Sequence, residues 1–197
     1  MIRAVVFDYG AVICRLPSLE EWTEFADAAQ LPVDEFVRLY PRSRERYDRG
    51  LVRAAGFWRE FAALAGREYN GEAIRRLAEI DIRVWSHIDA EVIVLARTLQ
   101  RRGIVTGILS NMQPDLLDRI REQSEWIDAF DVQVFSCEIG FVKPERRIYD
   151  YLLRELRVDA GDVLFVDDVS DNVDAARAAG LQAEVFSSIA DVRRVVS

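Results

Sequence analysis

Four apolar residues in a row, Ala4-Val5-Val6-Phe7, run straight into an aspartate at position 8. A run this short and continuously apolar reads as a β-strand buried on both faces, which obliges the chain to cover a sheet from above and below. A second run of the same kind, Val163-Leu164-Phe165-Val166, also ends in carboxylates, Asp167 and Asp168. A lone Asp at a strand end is more often a turn or cap residue than part of a site. Two buried strands delivering acids to one sheet edge are different, because like charges crowded there cost free energy unless a cation or a proton separates them. The two runs point to a divalent-metal site at the carboxyl edge of a parallel sheet, where open α/β sheets bind ligands.

The residues between the runs divide in two. From 16 to 86 the periodicity is helical throughout. Ser18-Leu19-Glu20-Glu21 is a capping box, followed by Leu19, Trp22, Ala26 and Ala29 at helical spacing. Phe36 and Tyr40 mark a second helix that should stop near Pro41; Phe57, Trp58, Phe61 and Leu64 mark a third, closed by Gly66, and Ile74, Leu77 and Ala78 a fourth. Together they describe the core of a small helical bundle.

After residue 86 the pattern changes. Asp89 caps a helix that Gly103 closes, and strands at 104–109, 131–135, 163–166 and 183–186 alternate with further helices. Pro114 can open one of these helices, and Pro144 is expected to open the helix carrying Ile148, Leu152 and Leu156. Such alternation requires a parallel sheet with right-handed crossovers. The first strand belongs to that sheet by composition. The expected fold class is therefore α/β, a Rossmann-like parallel-sheet core built from residues 1–15 and 87–197, with a helical domain, 16–86, inserted after the first strand.

Composition narrows the function. At 197 residues the chain supports one sizeable core with a small inserted domain, and its net charge of −8 disfavours nucleic acid and anionic membrane as partners. Cys14 and Cys137 stand far apart in no metal-binding spacing and read as reduced thiols. No apolar run reaches transmembrane length, and Asp8 interrupts the N-terminus where a signal peptide needs continuous hydrophobicity, so a cytoplasmic protein is expected. No glycine-rich dinucleotide fingerprint follows the first strand. His87 is the sole histidine, no nucleophile elbow accompanies it, and it reads as an ordinary residue near a hinge.

Four groups remain at or just after strand ends: Asp8, Ser110-Asn111, Lys143-Pro144 and Asp167-Asp168. In a parallel sheet those ends share one edge. Together they offer a nucleophilic carboxylate, a hydroxyl donor, a fixed cation and carboxylates for a hard, oxygen-loving metal. In this order, Phe7-Asp8-Tyr9-Gly10-Ala11-Val12, Leu109-Ser110-Asn111, Lys143-Pro144 and Val166-Asp167-Asp168 resemble the four motifs of the haloacid dehalogenase-like hydrolases. The resemblance covers the whole length, with 16–86 similar to the helical cap of that superfamily. Asp48-Arg49-Gly50 through Phe57-Trp58 is similar to the branch holding sugar-phosphate phosphatases and the phosphatase-like domain of epoxide hydrolases.

The resemblance implies a Mg²⁺-dependent phosphatase acting on a small phosphorylated metabolite. Asp8 would attack phosphorus and carry an aspartyl-phosphate. Ser110, Asn111 and Lys143 would hold the phosphoryl oxygens. Asp8, the Gly10 carbonyl, Asp168 and Asp167, in the first or second coordination shell, would serve the metal. Specificity is expected in cap residues facing the site, with Arg44, Tyr47 and Arg49 as candidates on what is otherwise a solvated helix face. One departure stands out. Most phosphatases of the superfamily carry a second Asp two residues after the nucleophile as general acid and base, and here that residue is Gly10. Tyr9, beside it, is expected to point to the opposite side of the chain. Two alternatives follow: a 2-haloacid dehalogenase, in which Asp8 attacks carbon without metal, and a non-catalytic binding or regulatory protein that keeps the fold.

Overall fold

The computed structural model describes residues 1–123 and 125–196. In chain order its elements are β1 (Ala4–Phe7), α1 (Leu19–Ala28), α2 (Val33–Ser43), α3 (Glu45–Asp48), α4 (Ala54–Leu64), α5 (Gly71–Val84) and α6 (Ala90–Arg101). There follow β2 (Val105–Ser110), α7 (Pro114–Gln123), β3 (Val132–Phe135), α8 (Ser136–Ile139) and α9 (Arg146–Leu156), then β4 (Val163–Asp167), α10 (Ser170–Ala178), β5 (Gln182–Val185) and α11 (Ile189–Val195). The five strands form one sheet, all pairs parallel, in the order β3-β2-β1-β4-β5.

β1 is the central strand, and its sequence explains why. All four of its residues are fully buried. With side chains alternating across the sheet, Val5 and Phe7 enter the core under α6, α7 and α11, where Val92, Leu99, Leu116 and Val192 pack. Ala4 and Val6 enter the opposite core with Ile148 and Leu152 of α9 and Val173 of α10. Only a strand covered on both faces can be apolar at every position, so Ala4–Phe7 has no alternative place at an edge. Burying Phe7 alone is worth about 1.5–3 kcal/mol.

The helices α1 to α5 pack an aromatic cluster of their own around Phe25, Phe36, Tyr40, Phe57, Trp58 and Phe61. Phe25 and Phe36 lie 4.7 Å apart, and Tyr47 stacks on Phe57 at 4.6 Å. The Ser18–Glu21 capping box forms in full at the start of α1. Two chain segments tie this insert to the sheet. Arg15 N–H donates to His87 O (3.0 Å), and Asp89 N–H donates to Ile13 O (2.8 Å). His87 also sits 2.6 Å from Glu21, beside this crossing.

Three local expectations are corrected. α2 runs through Pro41 to Ser43, because a proline in the last turn forfeits one backbone bond while buried Tyr40 and the half-buried Arg44 side chain beyond it hold the turn in place. Pro144 does not open α9. The helix starts at Arg146, and the cis Lys143–Pro144 bond belongs to the preceding turn. Leu19 is 75% exposed and lies off the buried stripe of α1. Among the described residues, no helix is long and apolar enough to cross a membrane.

Candidate active site

Register brings the carboxylates together. Phe7 is level with Val166 of β4 and Ile108 of β2, and Asp8 N–H donates to Val166 O at 2.9 Å. One residue further, Asp8 and Asp167 therefore emerge side by side at the carboxyl end of the sheet. Ser110 closes β2 on the neighbouring strand and is almost fully buried. Asp168 follows on the exposed side, and single carboxylate oxygens of Asp8, Asp167 and Asp168 lie within 4.8 Å of one another.

Lys143 enters this cluster from the turn before α9. Its Nζ lies 2.6 Å from Asp8 Oδ1 and 2.6 Å from Asp167 Oδ2, over the Phe165 ring. Burial alone would lower its pKa; the two carboxylates outweigh that and raise it, so the ammonium stays charged. Asp8 is different. Burial, with Asp167 adding to it and Lys143 opposing, pushes its carboxyl up to about 7. Asp8 Oδ1 also accepts the Tyr9 N–H at 2.6 Å, so two bonds land on one oxygen.

The supporting hydrogen bonds were not legible in the sequence. Asn111 spends its amide on the backbone of Lys143: Nδ2 donates to Lys143 O (3.0 Å), and Lys143 N–H donates to Asn111 Oδ1 (2.8 Å). It lines the cavity, but these bonds clamp the lysine turn. Asp167 accepts from Val169 N–H (2.8 Å) and from Asn172 Nδ2 at 3.0 and 3.1 Å, besides Lys143. Asn172 was not among the expected site residues; its one trace in the sequence is its place five residues after Asp167, on the first turn of α10.

Gly10 lies in the turn after Asp8. A Cβ built there would meet only the Trp85 ring, at an ordinary 3.7 Å. Tyr9 borders the cavity, but its side chain is buried in the core and stacked on Trp126, with its hydroxyl donating to Trp85 O at 2.5 Å. The chain turns at Ala11 (φ 58°). Cys14 lies in the core, and burial pushes its thiol up to about 11.

Above the carboxylate edge is a cavity of about 380 Å³, bounded by Asp8, Gly10, Asn111 and Lys143 below and by Trp22, Tyr40, Arg44 and Trp85 of the insert above. Of the three side chains left open by the sequence, Arg44 faces this cavity. Tyr47 is buried in the aromatic cluster, and Arg49 reaches away to Glu145 (2.5 Å) and Gly140 O (2.9 Å). Arg44 pairs with Asp48 (2.8 Å) and with buried Asp81 (3.6 Å), and also bonds Tyr40 and Gln113. Tyr40 donates to Asp81 at 2.5 Å.

The arrangement suits a hard cation. Three carboxylates against one ammonium leave two negative charges when all are ionised, and the donors are all oxygen. Asp167 has both oxygens engaged by Lys143 and Asn172, whereas Asp168 is exposed beside it.

A parallel α/β sheet with a carboxylate cluster at its carboxyl edge and a helical insert after the first strand defines a class of hydrolases. The chain belongs to the haloacid dehalogenase-like hydrolases, whose family model matches residues 2–180. It is 27% identical to a sesquiterpene phosphatase of Aspergillus oryzae over 183 residues, 91% of this chain and 87% of that one. It is 24% identical to a D-ribitol-5-phosphate phosphatase of Bacteroides thetaiotaomicron over 195 residues, covering 92% and 90%. Among solved structures, a haloacid dehalogenase family enzyme of Bacteroides thetaiotaomicron in complex with magnesium and inorganic phosphate superposes with a TM-score of 0.79 at 17% identity, each chain covered completely.

Proposed function

We propose that this protein is a Mg²⁺-dependent phosphatase of small phosphate monoesters that works through an aspartyl-phosphate. The observation that carries the reading is Lys143, buried and held 2.6 Å from both Asp8 and Asp167 beside a third carboxylate. A charged, immobile ammonium next to a carboxylate at the cavity floor is what phosphoryl transfer to that carboxylate requires. The two phosphatase relatives support the same reaction class.

In this reading the Asp8 oxygen not engaged by Tyr9 N–H and Lys143 attacks phosphorus, forming an O–P bond as the bond to the alcohol oxygen breaks. The alcohol departs with a proton from solvent or from a neighbouring acid. Water then attacks the aspartyl-phosphate, releasing inorganic phosphate and regenerating the Asp8 carboxylate. Lys143 stabilises charge on the transferring group, Ser110 offers it a hydroxyl, and Asn111 fixes the lysine turn. Asp8, Asp168 and the Gly10 carbonyl would hold Mg²⁺, with Asp167 oriented behind them by Asn172; the metal, when bound, neutralises and orients the phosphate. Residues 16–86 act as a cap domain over the core of 1–15 and 87–197. The carboxylate cluster disfavours the dehalogenase alternative, because it would repel a carboxylate substrate.

The test is p-nitrophenyl phosphate hydrolysis with and without Mg²⁺, in wild type and Asp8→Asn. An amide keeps the shape but is a very poor nucleophile, so turnover should fall by at least about 10³-fold while the thermal melt stays near wild type. Full activity in the variant would assign the attack to water or another residue.

A further inference from the structure

The two phosphatase relatives act on opposite kinds of alcohol, and the wall of the cavity bears on the choice. We propose that it takes a phosphate monoester whose alcohol is uncharged and largely apolar, an inference that rests on the phosphatase reading above.

The wall is apolar where a leaving group would lie. Trp22 and Trp85 of the insert and Met112 and Leu116 of the core line the cavity. At the outer residues of that wall stand Leu16 and Val169, 55% and 45% exposed, large apolar side chains left in water beside a reaction centre. An apolar group seated between them would remove that surface from water.

The polar groups in the wall are turned toward one another. Arg44 gives its donors to Asp48, Asp81, Tyr40 and Gln113. The Tyr40 hydroxyl donates to Asp81 and accepts from Trp85 Nε1 at 3.2 Å, and the Tyr9 hydroxyl is bound to Trp85 O. Gln113 Nε2 reaches Asp81 at 3.4 Å. A polyol entering here would give up its hydrogen bonds to water and find these partners engaged. A second anion would fare no better. Arg44 and Lys143 are the cationic side chains among the described residues of the wall, and each is matched by two carboxylates.

The experiment compares kcat/KM, with Mg²⁺, for three monoesters of primary alcohols, so that leaving-group basicity is nearly constant: hexyl phosphate, 6-(phosphonooxy)hexanoate and ribitol 5-phosphate. Hexyl phosphate should exceed each of the others by about 10²-fold. Leu16→Ser and Val169→Ser, at exposed positions that tolerate a polar residue, should each lower the hexyl-to-ribitol ratio about 5-fold. Ribitol 5-phosphate or the carboxylated ester matching hexyl phosphate would overturn the inference and leave the phosphatase reading standing. Failure to turn over any of the three, or p-nitrophenyl phosphate, would overturn the phosphatase reading. The cavity is then judged by calorimetry with phosphonates. Hexylphosphonate binding at least about 10-fold tighter than methylphosphonate supports the apolar assignment, and equal binding ends it.

Discussion

At position 10 the chain has a glycine where most phosphatases with these motifs carry an acid. The backbone there is not in the left-handed region, and a Cβ has ordinary room under Trp85. Nothing in the turn therefore demands glycine, and Gly10→Asp should fold. If the absent acid limits the reaction, the variant should hydrolyse alkyl phosphates faster by about 10-fold or more, short of the 10²–10⁴ typical of general acid catalysis because no neighbour is arranged to hold the new carboxyl. Aryl phosphates, whose leaving groups depart without a proton, should change little. Unchanged alkyl rates in a folded variant, beside a wild type already fast on them, would mean that another group supplies the proton. Tyr40 faces the cavity, but burial raises its pKa well above the usual phenol value, and it is bound to Asp81.

The stretch Asp48-Arg49-Gly50, at the end of α3 and the turn after it, docks the insert onto the core. Asp48 O accepts the Ser136 hydroxyl at 2.5 Å, Arg49 reaches Glu145 and Gly140 O, and Gly50 lies flat against Cys137. A Cβ at Gly50 would fall 2.2 Å from Cys137 O, and φ there is +71°. Gly50→Ala should therefore destabilise by about 2 kcal/mol or more, lowering Tm by about 4–8 °C. Gly66 is the control. It has φ +62° but no neighbour within 4 Å, so Gly66→Ala carries only the backbone strain of about 1 kcal/mol. Equal losses at the two positions would show that the close approach to Cys137 does not matter. Arg49→Met removes a partly exposed pair and should cost no more than about 1 kcal/mol.

Among the described residues, the junction of insert and core completely buries one acid outside the carboxylate edge. Asp81 of α5 is completely buried, its Oδ2 finds no hydrogen-bond partner among the described residues, and burial raises its pKa to about 6 despite Arg44. The folded state thus keeps a proton that the unfolded chain releases near pH 4. Below that pH both states hold it. As pH rises from about 4 to 6 the folded state alone remains protonated, so stability falls, by about 3 kcal/mol for a shift of two units, and then levels off. Asp81→Asn should remove this slope. Urea unfolding of wild type and variant at pH 4, 5, 6 and 7 should show the variant gaining relative stability up to pH 6 and none beyond. A difference independent of pH would show that folding does not raise the Asp81 pKa.

Apolar runs and helical periodicities are local properties, and they were sufficient for the five parallel strands, the helical stretch from 16 to 86 and the acids at the ends of β1 and β4. Continuous burial of Ala4–Phe7 demands a central strand, and a parallel sheet then gathers its carboxyl ends at one edge whatever the sequence separation. What surrounds those ends depended on side chains meeting across long stretches of chain. Asn111 clamps a backbone 32 positions away, Arg44 meets Gln113 at a separation of 69, and Trp85 comes to lie over Gly10. No periodicity encodes such pairings. Each is set by how the insert seats on the sheet, and burial then favours partners for the polar groups left in that junction, with Asp81 Oδ2 an exception.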